Sequence, residues 1–216
     1  LFSIDFVFKT PLINFSISLL SSSVIELKWL LASMPACFAT SKILFDLLNL
    51  IIFNKHMAYI FDTNVFIRSK NDMPMDLWPT FWNKLTEMVN SGVIFSSSMV
   101  KDEINHGKDE LTEWLKNNAP KSFYISLDAD IINNYQQTQL WAQNQSQFTI
   151  AALQTFANVA DAYLVATAIT NNLTLVTYEK SNLQSKKRVM IPDVCNAFGV
   201  RYCDFNTVLR EMGITI

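Results

Sequence analysis

A parallel α/β fold is what this sequence predicts, on three observations. From Met57 onward strand-like and helix-like stretches alternate, the signature of a parallel sheet covered on both faces. The run Tyr59, Ile60, Phe61 is wholly apolar, as a central strand buried on both faces requires. Four carboxylates, Asp62, Glu103, Asp161 and Glu179, stand at the ends or inner edges of the elements so read.

The elements follow in order. Ala58 to Phe61 reads as the first strand. Leu77 to Asn90 has helical apolar spacing (Leu77, Phe81, Leu85, Met88) and stops at Ser91 and Gly92, and Val93 to Phe95 makes a short second strand. Ser96, Ser97 and Ser98 offer N-caps for a helix through Met99 and Glu103. A helix over Leu111 to Asn117 comes next, and Phe123 to Leu127 is a short extended piece. Asp128 caps a helix to about Gln143, and another runs from about Phe156 to Thr170. The turn Asn171, Asn172 leads into the strand Leu173 to Thr177. Pro192 opens a short helix that Gly199 closes, Val200 to Cys203 is the last strand, and Asp204 caps a terminal helix ending at Gly213.

The chain has 216 residues, half of them hydrophobic, enough for one well-filled core and an appendage. Residues 1–56 differ from the rest in being rich in Leu, Ile, Phe and Ser with few charges. Lys9, Glu26, Lys28, Lys42 and Asp46 interrupt each apolar stretch there before it reaches the ~18 uncharged residues a spanning helix needs, so no membrane association is expected. The chain begins with Leu1, whereas Met57 stands directly before a strong strand. The expectation is that translation starts at Met57, with 1–56 an upstream in-frame extension and 57–216 the functional domain. An interfacial anchor is disfavoured by Pro35 and the scattered charges.

Charge and metal-ligand counts narrow the chemistry. A formal net charge of -2 gives no global basic field to attract nucleic acid, so a polyanion would be held by a local basic patch or by metal. Cys37, Cys195 and Cys203 are too few and too scattered for a disulfide framework or a four-ligand zinc site, and they fit a reducing cytosol. Having only His56 and His106 argues against a histidine-rich transition-metal centre, and a hard-cation, all-oxygen site stays open.

Each acid also has a purely structural reading. Asp62 is the first polar group to leave the central strand, at the carboxyl end where open α/β sheets bind ligands. It reads equally well as a cap for a turn through Thr63 and Asn64. On a helix, Asp161 shares the core-facing stripe with Leu164, Val165 and Ala168, a direction that an N-cap does not need. A helix starting just before it would stabilise its charge through the macrodipole. Glu103 lies on the edge of the face marked by Val100, Ile104 and Gly107, while Asp102 lies on the far side as a solvated charge and His106 as a bystander. Glu179 follows its strand on the same rim as Asp62, with Thr177 on its side of the strand. Lys180, Lys186, Lys187 and Arg188 form the one dense basic run, which reads equally as an RNA-tracking patch or as a solvated loop.

Taken together, these residues resemble the PIN-domain ribonucleases, many of which are toxins of bacterial toxin-antitoxin pairs. The matching pieces are Phe61-Asp62-Thr63-Asn64-Val65, Glu103 on the helix after the second strand, Ala160-Asp161-Ala162-Tyr163-Leu164-Val165-Ala166-Thr167-Ala168, and Leu175-Val176-Thr177-Tyr178-Glu179. The resemblance spans 57–216. It implies a three-layer α/β/α fold with a short parallel sheet, a Mg2+ or Mn2+ dependent site, single-stranded RNA as substrate, an antitoxin or a second copy as partner, and a cytoplasmic location. Asp62, Glu103 and Asp161 match the core acidic triad and Glu179 the fourth acid, where the family more often has Asp; Asn64 and Thr177 match polar residues that support the acids. Ile191-Pro192-Asp193-Val194-Cys195 resembles an uncharacterised branch of the same family.

The reading this supports is a metal-dependent endoribonuclease. A non-catalytic module of the same fold competes with it, with the acids as caps and Trp78, Phe81, Trp82 and Trp114 as an interaction surface. Phosphoaspartyl chemistry is disfavoured, since a dehalogenase-like site wants Asp where Asn64 stands and a receiver-like site wants an Asp pair beside the first strand. The nuclease reading needs four carboxylates from separate elements to converge. A lysine or arginine already neutralising them would count against it.

Overall fold

Three fully buried residues, two of them purely apolar and the third a tyrosine whose hydroxyl donates to Glu211 Oε2 at 2.7 Å, set the centre of the sheet. Tyr59–Phe61 forms β1, each residue fully buried, and it is flanked in parallel by β2 (Ile94–Ser97) and β4 (Thr174–Val176). The structure is a computed structural model that describes residues 58–215. Within those residues β3 (Tyr124–Ile125) extends the sheet beyond β2, and β5 (Tyr202–Cys203) extends it beyond β4, giving the all-parallel order β3-β2-β1-β4-β5. The chain therefore moves outward from β1 to β3, crosses over the sheet, and resumes on the other side of β1. A connection between parallel strands is right-handed, so this reversal puts the helices before and after it on opposite faces.

The helices that make those connections are α1 (Thr63–Asp72), α2 (Pro79–Asn90), α3 (Ser98–Gly107), α4 (Glu110–Asn118), α5 (Ala129–Gln143), α6 (Ile150–Asn158), α7 (Ala160–Asn171), α8 (Ile191–Phe198) and α9 (Phe205–Glu211). Several start on the caps the sequence offers. Ser97 accepts from the Met99 amide, Asp128 from that of Ile131 at 2.8 Å and Asp204 from that of Thr207 at 2.8 Å. Asn172 and Gly199 end α7 and α8 in the left-handed region, at φ 51° and 68°. Around β1 the aromatic rings interlock: Phe61 meets Phe205 at 5.4 Å and Phe66 at 5.7 Å, and Phe205 meets Phe81 at 6.1 Å.

The expected α/β class with a short parallel sheet is the one observed, and several boundaries differ for physical reasons. α2 begins at Pro79 rather than Leu77, because proline suits the first helical turn; Leu77 is then 71% exposed instead of facing the core. α1 is an added helix over residues read as a turn. The helix expected from about Phe156 to Thr170 is two, broken at Val159, which is extended (φ -100°, ψ 164°). Residues 121–123 form a 3-10 turn ahead of β3, so the extended piece is shorter than expected. Phe81 and Trp82 are core residues and Trp114 packs on Trp82 at 4.9 Å, which leaves Trp78 alone of the four tryptophan and phenylalanine candidates on the surface. The reading of 1–56 as an added segment, with Cys37 and His56, lies outside the described residues. Among the described residues no helix is long and apolar enough to cross a membrane.

Phe205 joins β1 to α2 through ring contacts on both sides, so truncating it leaves a cavity at the centre of the domain. Phe205→Ala is expected to lower unfolding free energy by about 3 to 5 kcal/mol in urea denaturation. A loss under ~1 kcal/mol would contradict this placement.

Candidate functional site

The register between β1 and β4 decides which side chains meet. Phe61 pairs with Val176, and the Asp62 amide donates to the Val176 carbonyl at 3.1 Å, so Asp62 and Thr177 leave the two strands side by side. This is the switch point of the sheet, where the strand order reverses and where open α/β folds bind ligands. Asp62 is 4% exposed. It occupies the N-cap position of α1 yet makes no capping bond with its side chain. Instead its Oδ2 accepts from the Thr177 hydroxyl at 2.8 Å and from the Asn64 amide nitrogen. Asn64 also donates to Thr177 Oγ1 at 3.2 Å and accepts from the Tyr178 amide at 3.3 Å, which ties α1 to the segment after β4. Asp62 thus stands at a helix start with its carboxylate turned to Asn64 and Thr177.

The other acids arrive from α3, α7 and the segment beyond β4. Glu103 is exposed along its stem, but its carboxylate accepts from the Thr63 hydroxyl at 2.6 Å and from the Ala160 amide at 3.2 Å. It thereby occupies the N-terminus of α7, in trans, at the break the sequence did not reveal. Asp161 stands in the first turn of α7 with its side chain 15% exposed, while Leu164, Val165 and Ala168 of the same stripe are buried. Glu179, with a side chain 7% exposed, sends Oε2 to the Ile191 amide at 2.9 Å, at the start of α8. Asp102 and His106 are exposed.

These carboxylates act on one another. Burial, reinforced by Asp161 and then Glu179 and only partly offset by the Thr177 hydroxyl, pushes the Asp62 carboxyl up to about 7. Burial and then Glu179 raise Asp161 to about 6, against the pull of Arg188. Both acids are held above their ordinary range chiefly by burial, with neighbouring carboxylates adding to it.

One cation is already there. Arg188 places Nη2 3.3 Å from Asp161 Oδ2 and in contact with Glu179 Oε1. The sequence grouped Arg188 with Lys180, Lys186 and Lys187 as one basic run; all four are exposed on the loop, and Arg188 differs in carrying its guanidinium to Asp161 and Glu179. Arg188 folds back over the acids. The loop that delivers it is fixed by Asp193, a buried acid of α8 that accepts from the Ser181 hydroxyl and from the Asn182 amide at 3.2 Å. An acid inside the apolar run Ile191 to Cys195 is the signal that could have flagged Asp193. Thr63 carried none, since its partner lies on another helix.

For a metal, the donor chemistry and the present arrangement pull apart. The four acids offer oxygen only, the set that suits a hard divalent cation. Yet among the described residues no three His, Cys, Asp or Glu side chains already surround a single ion position. Glu103 and Glu179 each commit one oxygen to a backbone amide, and Arg188 spans Asp161 and Glu179. The residues fit such an ion by type and charge, with the guanidinium standing among them. Cys195, its thiol pushed by burial up to about 12, is an inert core group and no ligand.

The fold and site define an α/β domain with an acidic cluster at its switch point. Residues 59–216 match the family described as a domain of unknown function, DUF4411, and the chain belongs to that family. No curated protein matches it. Among solved structures the chain is similar to the crystal structure of VapBC2 from Rickettsia felis bound to a DNA fragment from their promoter. That match has 18% identity and a TM-score of 0.43, and covers 68% of this chain and 98% of the other.

The Asp62 carboxyl has a folded-state value of about 7 against an ordinary 3.8, so between those limits the native state holds a proton that the unfolded chain has lost. Metal-free stability is therefore expected to fall as pH rises across this window and to level off above it. Asp62→Asn keeps an acceptor for Thr177 and should flatten that slope. Denaturant titrations of both proteins across the window check this, and identical slopes would contradict it.

Proposed function

We propose that the protein is a metal-dependent endoribonuclease of PIN-domain type that hydrolyses phosphodiester bonds of single-stranded RNA with Mg2+ or Mn2+. What supports the reading is that Asp161 and Glu179 lie close enough to Asp62, and Glu179 and Glu103 to Asp161, to add to the effect of burial and raise both aspartates at the sheet's switch point, although among the described residues no three of these acids yet surround one ion position. Asp62, Asp161, Glu103 and Glu179 would hold the cation. When bound it would activate water and offset charge on the scissile phosphate in an in-line displacement. The chain supplies the rest. Asn64 and Thr177 fix the Asp62 carboxylate in one orientation, Thr63 and the Ala160 amide fix that of Glu103, and the Ile191 amide leaves Glu179 one oxygen for a cation. Lys180, Lys186 and Lys187 lie on the exposed loop beside the acids, suited to a phosphate backbone. In this reading the protein works in the cytoplasm as the toxin of a toxin-antitoxin pair, with an antitoxin as its protein partner.

A second reading has a specific observation behind it. Glu103 and Glu179 each accept a backbone amide at a helix start, as structural acids do, and Arg188 already balances part of the charge. In that case the domain is a binding module without catalysis.

The two separate cleanly. The nuclease reading expects Mn2+-dependent cleavage of single-stranded RNA, abolished in Asp161→Asn with unfolding free energy retained. Asn64→Ala, which frees the Asp62 carboxylate from its support, is expected to cost about 10- to 100-fold in rate. RNA left intact by the folded wild-type protein across a panel of substrates and metals would favour the binding module.

A further inference from the structure

Arg188 is the one site residue whose place differs in kind from its sequence neighbours. The segment from Thr177 to Met190 contains no regular element, and irregular loops of this length are uncommon in compact domains. Its two ends are pinned. Glu179 and Asp193 hold the N-terminal part through the Ile191 and Asn182 amides, and the Lys186 carbonyl accepts from the Thr149 amide at 3.0 Å ahead of α6. Ser185 closes a tight turn beneath the arginine, donating to the Arg188 carbonyl at 2.6 Å and accepting from its amide at 3.3 Å. The backbone at Arg188 is thus positioned, while the side chain is 57% exposed and reaches the acids with its tip.

Three features make that tip a substitute for a metal ion. It meets Asp161 and Glu179 from two different segments through one nitrogen, so it bridges rather than pairs. Both of its partners belong to the set of four oxygen donors. Being more than half exposed, it is weakly held and can leave without unfolding anything. A carboxylate cluster that needs positive charge will take the denser source when offered, and a divalent cation carries twice the charge in a smaller volume.

We propose that Arg188 is the resident counter-cation of the acidic site, bridging Asp161 and Glu179 and competing with the divalent ion for them. This rests on the metal-site reading given above and adds its regulation: the site is held in an arginine-closed form, and the ion binds by displacing the guanidinium. The linkage is reciprocal, so whatever draws Arg188 away, an RNA phosphate included, strengthens metal binding by the same factor.

The test is Mn2+ binding to the purified full chain by titration calorimetry, for wild type, Arg188→Gln and Arg188→Lys. Removal of the competing charge is expected to tighten Mn2+ binding by about tenfold or more in Arg188→Gln. Lysine keeps the charge but not the planar fork, so Arg188→Lys falls between the two. The midpoint of thermal unfolding gives a second readout: Arg188→Gln melts lower without metal and gains more from Mn2+ than wild type does. If Arg188→Gln does not fold, tightening in Arg188→Lys supports the proposal and unchanged affinity overturns it. Equal or weaker Mn2+ binding in folded Arg188→Gln overturns it while leaving the metal site in place. Absence of Mn2+ binding in all three proteins removes the metal site and this inference with it.

Discussion

Everything at the candidate site depends on an aspartate being carried out of a strand that has no room for water. β1 is buried on every residue, and its register with β4 leaves Asp62 beside Thr177 at the point where the sheet reverses direction. Burial of a carboxylate there is costly unless hydrogen bonds and cations compensate it. The hydroxyl of Thr177 and the amide of Asn64 supply the first, while two of its charged neighbours, Asp161 and Glu179, are acids that raise it further.

The neighbouring acids are where structural and chemical demands overlap. Glu103 and Glu179 occupy helix starts, and the positive ends of α7 and α8 explain why acids are tolerated so close together. Each nonetheless keeps an oxygen directed at other groups: Thr63 for Glu103 and Arg188 for Glu179. A helix terminus can stabilise a carboxylate without consuming its capacity to meet a cation. Glu179 meets the α8 amide with one oxygen and the arginine with the other.

Much of this was legible in the sequence because it rests on local pattern. The apolar run of β1, the caps at Ser97, Asp128 and Asp204, and the left-handed stops at Asn172 and Gly199 are written in adjacent residues. The acids, Asn64 and Thr177 were identifiable because strand ends and helix stripes constrain where a polar group can emerge. What escaped the sequence was long-range. The break at Val159 is completed by Glu103, and residues read as a turn after Asp62 form α1, whose Thr63 finds its partner on another helix. Arg188 looked like one of four basic loop residues, and only the fold of the loop, anchored through Asp193, separates it from its lysine neighbours.

That arginine also sharpens the central question. A cation among the acids was the condition set against a metal site, and Arg188 meets it for two of the four carboxylates, while Asp62 and Asp161 remain raised in its presence. The most direct measurement is a crystal structure grown with Mn2+ and read by anomalous scattering. The account predicts a peak among Asp62, Glu103, Asp161 and Glu179 with Arg188 withdrawn; no peak there, with Arg188 still bridging Asp161 and Glu179, would contradict it.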